Sequence, residues 1–216
     1  MNEAKADFFN SQVAEPWAAS EFGPLERAKI DRMLRQAQIR EGMSVIEPGC
    51  GTGRLTAILA DVVGPEGFVH ALDISPKMVE AARQRVGTCR NVCVECAAIE
   101  GCSFHSQSYD VVVCHNVFPH FDNKPAAVAR LASALKIGGG FIVFHFMSAA
   151  EINDMHRKAH TSVLNDLIPP EPEMRRIFEV AGFQVELIKD DEEGYLLSAT
   201  RTRVIDGECS AGDSSP

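Results

Sequence analysis

No apolar run in this sequence is long enough to cross a bilayer, which speaks against stable membrane insertion. Basic residues are in deficit. The 21 lysines and arginines face 30 aspartates and glutamates, for a formal net charge of −9. A surface of that sign repels phosphate backbones, so no nucleic-acid partner is expected. The first residues, MNEAKADFFNSQ, have neither the basic start nor the apolar stretch of a secretion signal, and the expected location is cytoplasmic. A disulfide framework is also missing. The seven cysteines (Cys50, Cys89, Cys93, Cys96, Cys102, Cys114 and Cys209) are odd in number and scattered over predicted strands and loops. Cys93 and Cys96 share one short predicted strand, where an odd separation sends side chains to opposite faces. They read as buried free thiols rather than a metal or redox pair.

What is present is an ordinary core-forming composition, 45% hydrophobic over 216 residues, enough for a single domain. Residues 24–38 carry Leu25, Ile30, Met33 and Leu34 among charges, an amphipathic helix. Strands are expected at 43–47, 68–73, 91–96, 109–114, 141–146, 183–188 and 195–200. Helices are expected at 54–62, from 75 to about 85, at 124–135 (ended by the glycines at 138–140) and at 171–181. Ser75 and Pro76 suit a cap and a first helical turn. Strands alternating with helices predict an α/β fold. It is a doubly wound, mostly parallel seven-stranded sheet with helices on both faces, and the last two strands form an antiparallel hairpin. Residues 1–22 are set apart as an N-terminal segment on the substrate side, 23–203 form the domain, and 204–216, rich in Gly, Ser and Asp, are expected to be disordered.

The informative stretch is Val45-Ile-Glu-Pro-Gly-Cys-Gly-Thr-Gly-Arg54. A glycine loop after the first strand lets backbone approach a ligand in the crevice at the strand ends. A dinucleotide site prefers a third glycine where Arg54 stands. Glu47, just before the loop, would repel a pyrophosphate but attract an ammonium or sulfonium. Asp73, ending the second strand, can accept hydrogen bonds from both hydroxyls of a ribose.

These residues resemble the class I S-adenosylmethionine-dependent methyltransferases. Glu47-x-Gly49-Cys50-Gly51-Thr52-Gly53 matches the family's first motif and Leu72-Asp73-Ile74-Ser75-x-x-Met78 the second. Ser108-Tyr109-Asp110-Val111-Val112 and Leu135-Lys136-x-Gly138-Gly139 match the fourth-strand motif and the turn before the fifth strand. The Phe8-Phe9…Trp17 pattern is similar to a small-molecule branch that includes quinone C-methyltransferases. The resemblance implies a Rossmann-like methyltransferase fold. It also implies S-adenosylmethionine as cofactor, bound through Glu47, Gly49, Cys50, Gly51, Gly53, Asp73, Ile74, Ala98, Ile99 and Cys114. Ile74 would pack on adenine. One departure stands out: the family usually has Gly-Asp-Ala after the third strand, and here Ala97-Ala98-Ile99 stands there, so no side-chain carboxylate meets the adenine amino group.

The partner implied is a small-molecule methyl acceptor, apolar or aromatic, for a monomer or homodimer. Residues 147–170 are long for a connection and are expected to form a lid. Ser148-Ala-Ala-Glu151 is a capping box, and the helix after it would put Ile152, Met155, His156, Ala159 and His160 on one inward face. His145 and His115 end strands five and four. Four histidines, His115, His145, His156 and His160, are thus candidates for the methyl-transfer pocket. Three readings stay open for them: separately hydrogen-bonded core-edge residues, a general base or substrate contact, and a metal site from His145, His156 and His160. Phe118, Phe121, Phe144 and Phe146 are candidates to stack on the acceptor, or core. Rival functions are a nicotinamide oxidoreductase, which Glu47 and the missing third glycine oppose, and a non-catalytic S-adenosylmethionine-binding module. A nucleic-acid amino-methyltransferase would show (Asn/Asp/Ser)-Pro-Pro-(Tyr/Phe) after the fourth strand, where this chain has Cys114-His-Asn-Val-Phe-Pro-His120.

Overall fold

The central strands are short apolar runs covered on both sides, and the edge strands alternate buried and exposed positions. In the computed structural model, which describes residues 2–204, β1 (Ser44–Pro48), β2 (Phe68–Asp73), β3 (Val92–Cys96), β4 (Tyr109–His115), β5 (Leu135–His145), β6 (Phe183–Asp191) and β7 (Gly194–Arg201) make one sheet. Its order is β3-β2-β1-β4-β5-β7-β6. The first five strands run parallel, β7 pairs antiparallel with β5, and β6 pairs antiparallel with β7. The sheet is therefore the expected doubly wound one with a terminal hairpin.

The period of two in each strand divides the core. Val45, Val69, Val111 and Ile142 point to the face covered by α3 (Pro24–Gln36) and α4 (Arg54–Val63), through Ile30, Met33, Leu55, Leu59 and Val63. Ile46, Val112, Phe141 and Val143 point the other way, onto α6 (Lys124–Ala134) and α8 (Glu171–Val180). α5 (Pro76–Arg85) buries Val79 and Ala82 beside Ala71 and Val94. Ser75 Oγ accepts from Met78 N at 3.1 Å and so caps that helix. Because strand order reverses between β1 and β4, the crevice at the carboxyl ends of these strands is where such a sheet takes ligands.

Several expectations need correction. The segment before residue 22 contains two helices, α1 (Glu3–Gln12) and α2 (Pro16–Ala19), that hydrophobic periodicity does not announce. β5 starts at Leu135, through the glycines expected only to stop a helix. Its pairing with β4 skips from Tyr109↔Leu135 to Val111↔Gly140, which bulges residues 136–139 outward. α7 (Ala149–Arg157) has the expected capping box but stops before Ala159 and His160. Cys93 is exposed rather than buried, although it and Cys96 do face opposite ways on β3. Cys209 and the expected disorder of the tail from 205 onward lie outside the described residues. No helix of the described residues is long and apolar enough to cross a membrane.

Candidate functional site

A cavity of about 480 Å³ opens at the carboxyl ends of β1, β2 and β4. Its floor is the loop from Gly49 to Thr52. Gly49 and Gly51 have φ of +65° and +54°, a region that glycine enters without steric cost. A Cβ on Gly49 would lie 2.2 Å from Val117 Cγ2, so the glycine lets the loop after β4 lie on the floor. A Cβ on Gly51 would meet nothing within 4 Å, leaving its backbone bare toward the cavity. Gly53 (φ +79°) does not line the cavity. It turns the chain into α4 close to Ala82, where a Cβ would come within 3.0 Å of Cα.

Two carboxylates bracket the floor. Asp73 Oδ2 accepts from Gly51 N at 2.9 Å and Oδ1 from Ser75 N at 2.8 Å, which fixes loop and helix start to one side chain. Burial raises its pKa, while the amides of Ser75, Gly51 and Ile74 oppose the rise. Glu47 is 2% exposed, and its Oε2 is buried without a hydrogen-bond partner. Burial pushes its pKa up to about 8, opposed by the Thr56 hydroxyl and reinforced by the Asp73 charge. An orphaned carboxylate beside a bare glycine backbone is a donor set short of a cation. The ammonium and hydroxyl groups of S-adenosylmethionine fit it, and a pyrophosphate does not.

Ile74, Ala98 and Ile99 line the cavity, and so does Cys50. Glu100 lines it as well, whereas Glu95 lies apart, paired with His70 at 3.0 Å. Cys114 is fully buried in the core and does not reach the cavity, because its side chain points into the face covered by α6 and α8.

The cavity is roofed by the N-terminal segment. Thr52 Oγ1 donates to the Ala18 carbonyl, and Arg54 donates to the Trp17 carbonyl while lying 3.7 Å from the Phe22 ring centre. Arg54, at the place of a third glycine, thus ties α2 onto the floor. On α1, Asn10 Oδ1 accepts from Ser75 Oγ at 2.8 Å. Phe9, Trp17, Phe22, Val117 and Phe121 give the roof side an apolar lining.

The four candidate histidines are not brought together there. His115 lines the cavity, its ring 4.8 Å from Phe146 and 5.6 Å from Phe144. Its Nε2 is buried without a partner, and burial, helped by the Arg54 charge, lowers its pKa to about 3. His145 is buried and does not line the cavity. Burial holds it neutral, the neighbouring His115, His120 and His156 adding to the effect. His156 is buried on α7 with Nδ1 donating to the Asp166 carbonyl, and it does not line the cavity. His160 lies beyond the end of α7, exposed, stacked on Phe8 at 5.4 Å and bonded locally to Ser162. Helical spacing fails for it because the helix has ended. His145, His156 and His160 form no metal cluster, and no group of three or more His, Cys, Asp or Glu among the described residues does. Nothing between 147 and 170 lines the cavity, so the expected lid is placed elsewhere than the opening. Phe118 and Phe144 are core, Phe146 packs under His115, and Phe121 alone of the four aromatic candidates lines the cavity.

Sequence reasoning missed His120, Lys5 and Asp166. His120 lines the cavity and its Nδ1 lies 2.8 Å from Asp166 Oδ2. Lys5, 2% exposed, donates to the His120 carbonyl at 2.7 Å, to Asp122 at 2.8 Å and to Asp166 Oδ1 at 3.0 Å. Only His120 carried a signal, a histidine shortly after the end of the fourth strand.

Residues 39–195 match a family described as a methyltransferase domain. Ubiquinone/menaquinone biosynthesis C-methyltransferase UbiE of Methylococcus capsulatus is 30% identical over 171 residues, covering 78% of this chain and 63% of that protein. Malonyl-[acyl-carrier protein] O-methyltransferase of Acetivibrio thermocellus is 28% identical over 167 residues, 71% of this chain and 58% of that protein. The chain thus spans about three fifths of the length of these relatives. Among solved structures, a SAM dependent methyltransferase from Aquifex aeolicus superposes with a TM-score of 0.69 at 17% identity, over 91% of this chain and 98% of that one. Phosphoethanolamine N-methyltransferase 2 of Haemonchus contortus, in complex with S-adenosyl-L-methionine, gives 0.71 at 14% identity, over 90% and 60%. The fold, the glycine loop between two carboxylates and the match over residues 39–195 agree, and the chain belongs to the methyltransferase-domain family.

Proposed function

We propose that this protein transfers a methyl group from S-adenosylmethionine to a small-molecule acceptor in the cytoplasm. The observation that carries the reading is the buried, unpartnered Glu47 facing Asp73 across a glycine floor. Glu47 would hold the cofactor's ammonium side, Asp73 the ribose hydroxyls, and Ile74 and Ile99 the adenine faces. The bare Gly51 backbone lets the ligand lie close to the loop. The cofactor supplies a methyl already activated on a sulfonium.

The chain's own residues therefore have three tasks: orienting the acceptor, excluding water and managing its proton. The roof of α1 and α2 excludes water, and residues 1–22 make up the substrate side. Phe9, Trp17, Phe22 and Phe121 favour an acceptor with an apolar or aromatic body. UbiE, by its name, acts in quinone biosynthesis, a class consistent with that lining.

Titration calorimetry with S-adenosylmethionine, NADH and an RNA oligonucleotide tests the cofactor, with heat expected for the first alone. Binding of NADH without S-adenosylmethionine overturns the reading. Release of S-adenosylhomocysteine with soluble hydroquinones, phenols, thiols and amines identifies the acceptor atom. Cofactor binding with no release for any of them favours the non-catalytic binding module.

A further inference from the structure

His120 stands in the loop after β4, at the boundary between the cavity and a buried polar cluster. Its Nδ1 is 2.8 Å from Asp166 Oδ2. The other oxygen of that carboxylate, Oδ1, is held by Lys5 Nζ at 3.0 Å, and the Asp166 carbonyl is held by His156 Nδ1. Lys5 also binds the His120 carbonyl at 2.7 Å, so one buried ammonium clamps both members of the pair. The ring of Phe9 meets His120 edge-on at 5.0 Å from the roof side. Among the described residues no hydrogen bond is made to His120 Nε2, while the residue lines the cavity. An ionised Asp166 accepts only, so His120 must put its proton on Nδ1, which leaves the Nε2 lone pair free.

We propose that His120 Nε2 is the base that takes the proton of the methyl acceptor, with Asp166 and Lys5 as its positioning residues. This rests on reading the cavity as a methyl-transfer site. As the acceptor's oxygen, nitrogen or sulfur bonds to the methyl carbon, the carbon–sulfur bond breaks and its electron pair stays on sulfur. The acceptor's proton moves to Nε2, and the imidazolium so formed is paired with Asp166 until the proton leaves to solvent. The titratable groups around the ring are Asp166, Lys5 (itself paired with Asp122), His156 from α7 and His145 from β5. Burial lowers the His120 pKa, the Asp166 hydrogen bond and charge oppose that, and His156 and Lys5 add to it, so the resting ring is neutral at pH 7. Burial alone would raise Asp166, but the hydrogen bonds and charges of His120 and Lys5 hold it below the ordinary carboxylate value.

Ring ¹⁵N NMR of the full chain tests the pair without any substrate, with the His120 signals identified by their loss in His120→Gln. The expected state at pH 7 is a neutral ring protonated on Nδ1, with that preference lost in Asp166→Asn. Removal of a cation in Lys5→Met should shift the His120 titration to higher pH. A proton on Nε2, or an imidazolium at pH 7, overturns the proposal, because no free lone pair then faces the cavity. With any acceptor that the unaltered protein methylates, His120→Gln should lower kcat about a hundredfold and leave the dissociation constant for S-adenosylmethionine within about twofold. Undiminished turnover in that variant also overturns it. Failure of the unaltered protein to bind S-adenosylmethionine strikes the reading of the cavity, and the NMR result still decides the state of the pair.

Discussion

The floor and the roof of the cavity are built by different means. The floor is the short loop from Gly49 to Thr52 between Glu47 and Asp73, and its shape is set by backbone: left-handed glycines, and the Gly51 and Ser75 amides donated to the Asp73 carboxylate. The roof is assembled from distant pieces, joined by side chains that reach across the sequence, Lys5 to Asp166, Arg54 to Trp17, Asn10 to Ser75. A site determined by local backbone geometry tolerates few substitutions at fixed positions. One determined by long side chains can be rebuilt by many residue types. The floor therefore suits a constant ligand and the roof a variable one.

The sharpest break is expected where the loop after β4 rests on the floor. Gly49→Ala puts a methyl 2.2 Å from Val117 Cγ2 and 2.6 Å from Val117 Cβ, at a φ of +65°. Neither atom is the end of a flexible chain. The variant should lose about 1–3 kcal/mol of stability and most of its cofactor affinity, read as a drop of several degrees in Tm and loss of calorimetric binding. Adding Val117→Ala should recover part of both. Full recovery would mean that φ costs nothing, and no recovery would mean that Val117 is not the obstacle.

Next in size is Asp73→Ala, which removes the acceptor for two loop amides and for the ribose. S-adenosylmethionine should bind about 1–3 kcal/mol more weakly, roughly a five- to 150-fold rise in Kd. Unchanged affinity would put the ribose elsewhere. A comparable change in Asp122, a roof carboxylate already paired with Lys5, should leave that Kd nearly unchanged.

Glu47 gives a pH signature of the floor. Its pKa in the folded protein is pushed up to about 8, above the ordinary 4.5. The protonated form is thus the stable one without ligand, and that contribution is complete below about 4.5 and is lost as pH rises through about 8. Relative to Glu47→Gln, the unliganded protein should lose Tm progressively across this window. A cationic ligand needs the ionised form, so S-adenosylmethionine affinity should rise with pH up to about 8 and then level off, by at most about tenfold per unit. Calorimetry in two buffers of different ionisation heat should detect the released proton. Absence of the trend, or its persistence in Glu47→Gln, would detach Glu47 from the ligand.

Most of the fold and nearly all of the floor were legible in the sequence, for one physical reason. Alternation, glycine spacing and strand-end carboxylates act over a few residues, and the chain writes them in order. Glu47 follows from its charge just before the glycine loop, and Asp73 from its place at the end of the second strand. Residues 1–22 were set on the substrate side from the sequence, but the helices and side-chain ties that make them a roof were not legible. α1 lacks a clear apolar stripe, and Lys5 looks like any surface lysine until folding buries it against Asp122 and Asp166. Cys114 misled because a strand-end residue can face either side of the sheet. His160 misled because helical spacing was extended past Arg157, where the helix stops, and His156 because its ring is spent on the Asp166 carbonyl.

A smaller effect is expected at the adenine end. Ala98 offers no acceptor, but Glu100 lines the same cavity. Glu100→Ala should weaken S-adenosylmethionine only a few-fold if the adenine amino group meets this exposed side chain. Ala98→Asp should then recover the loss. Recovery without a prior loss would show that position 98 alone faces the amino group.

The smallest effect should come from His160, and it separates the segment 147–170 from the roof. His160 is exposed, does not line the cavity, and spends its Nδ1 on Ser162 and its ring face on Phe8. Its replacement by Ala removes one ring stack at the surface, worth a fraction of a kcal/mol, and no group that reaches the acceptor. Turnover and cofactor Kd should stay within about twofold of the unaltered protein, with a Tm change near the limit of measurement. His120→Gln in the same assay supplies the contrast, since its ring differs from that of His160 in facing the cavity with a carboxylate behind it. Position relative to the cavity, rather than the presence of an imidazole, then accounts for the difference. A tenfold or larger loss in His160→Ala would instead mean that residues 158–162 fold over the opening when ligands bind, and would return the segment to the role of a lid.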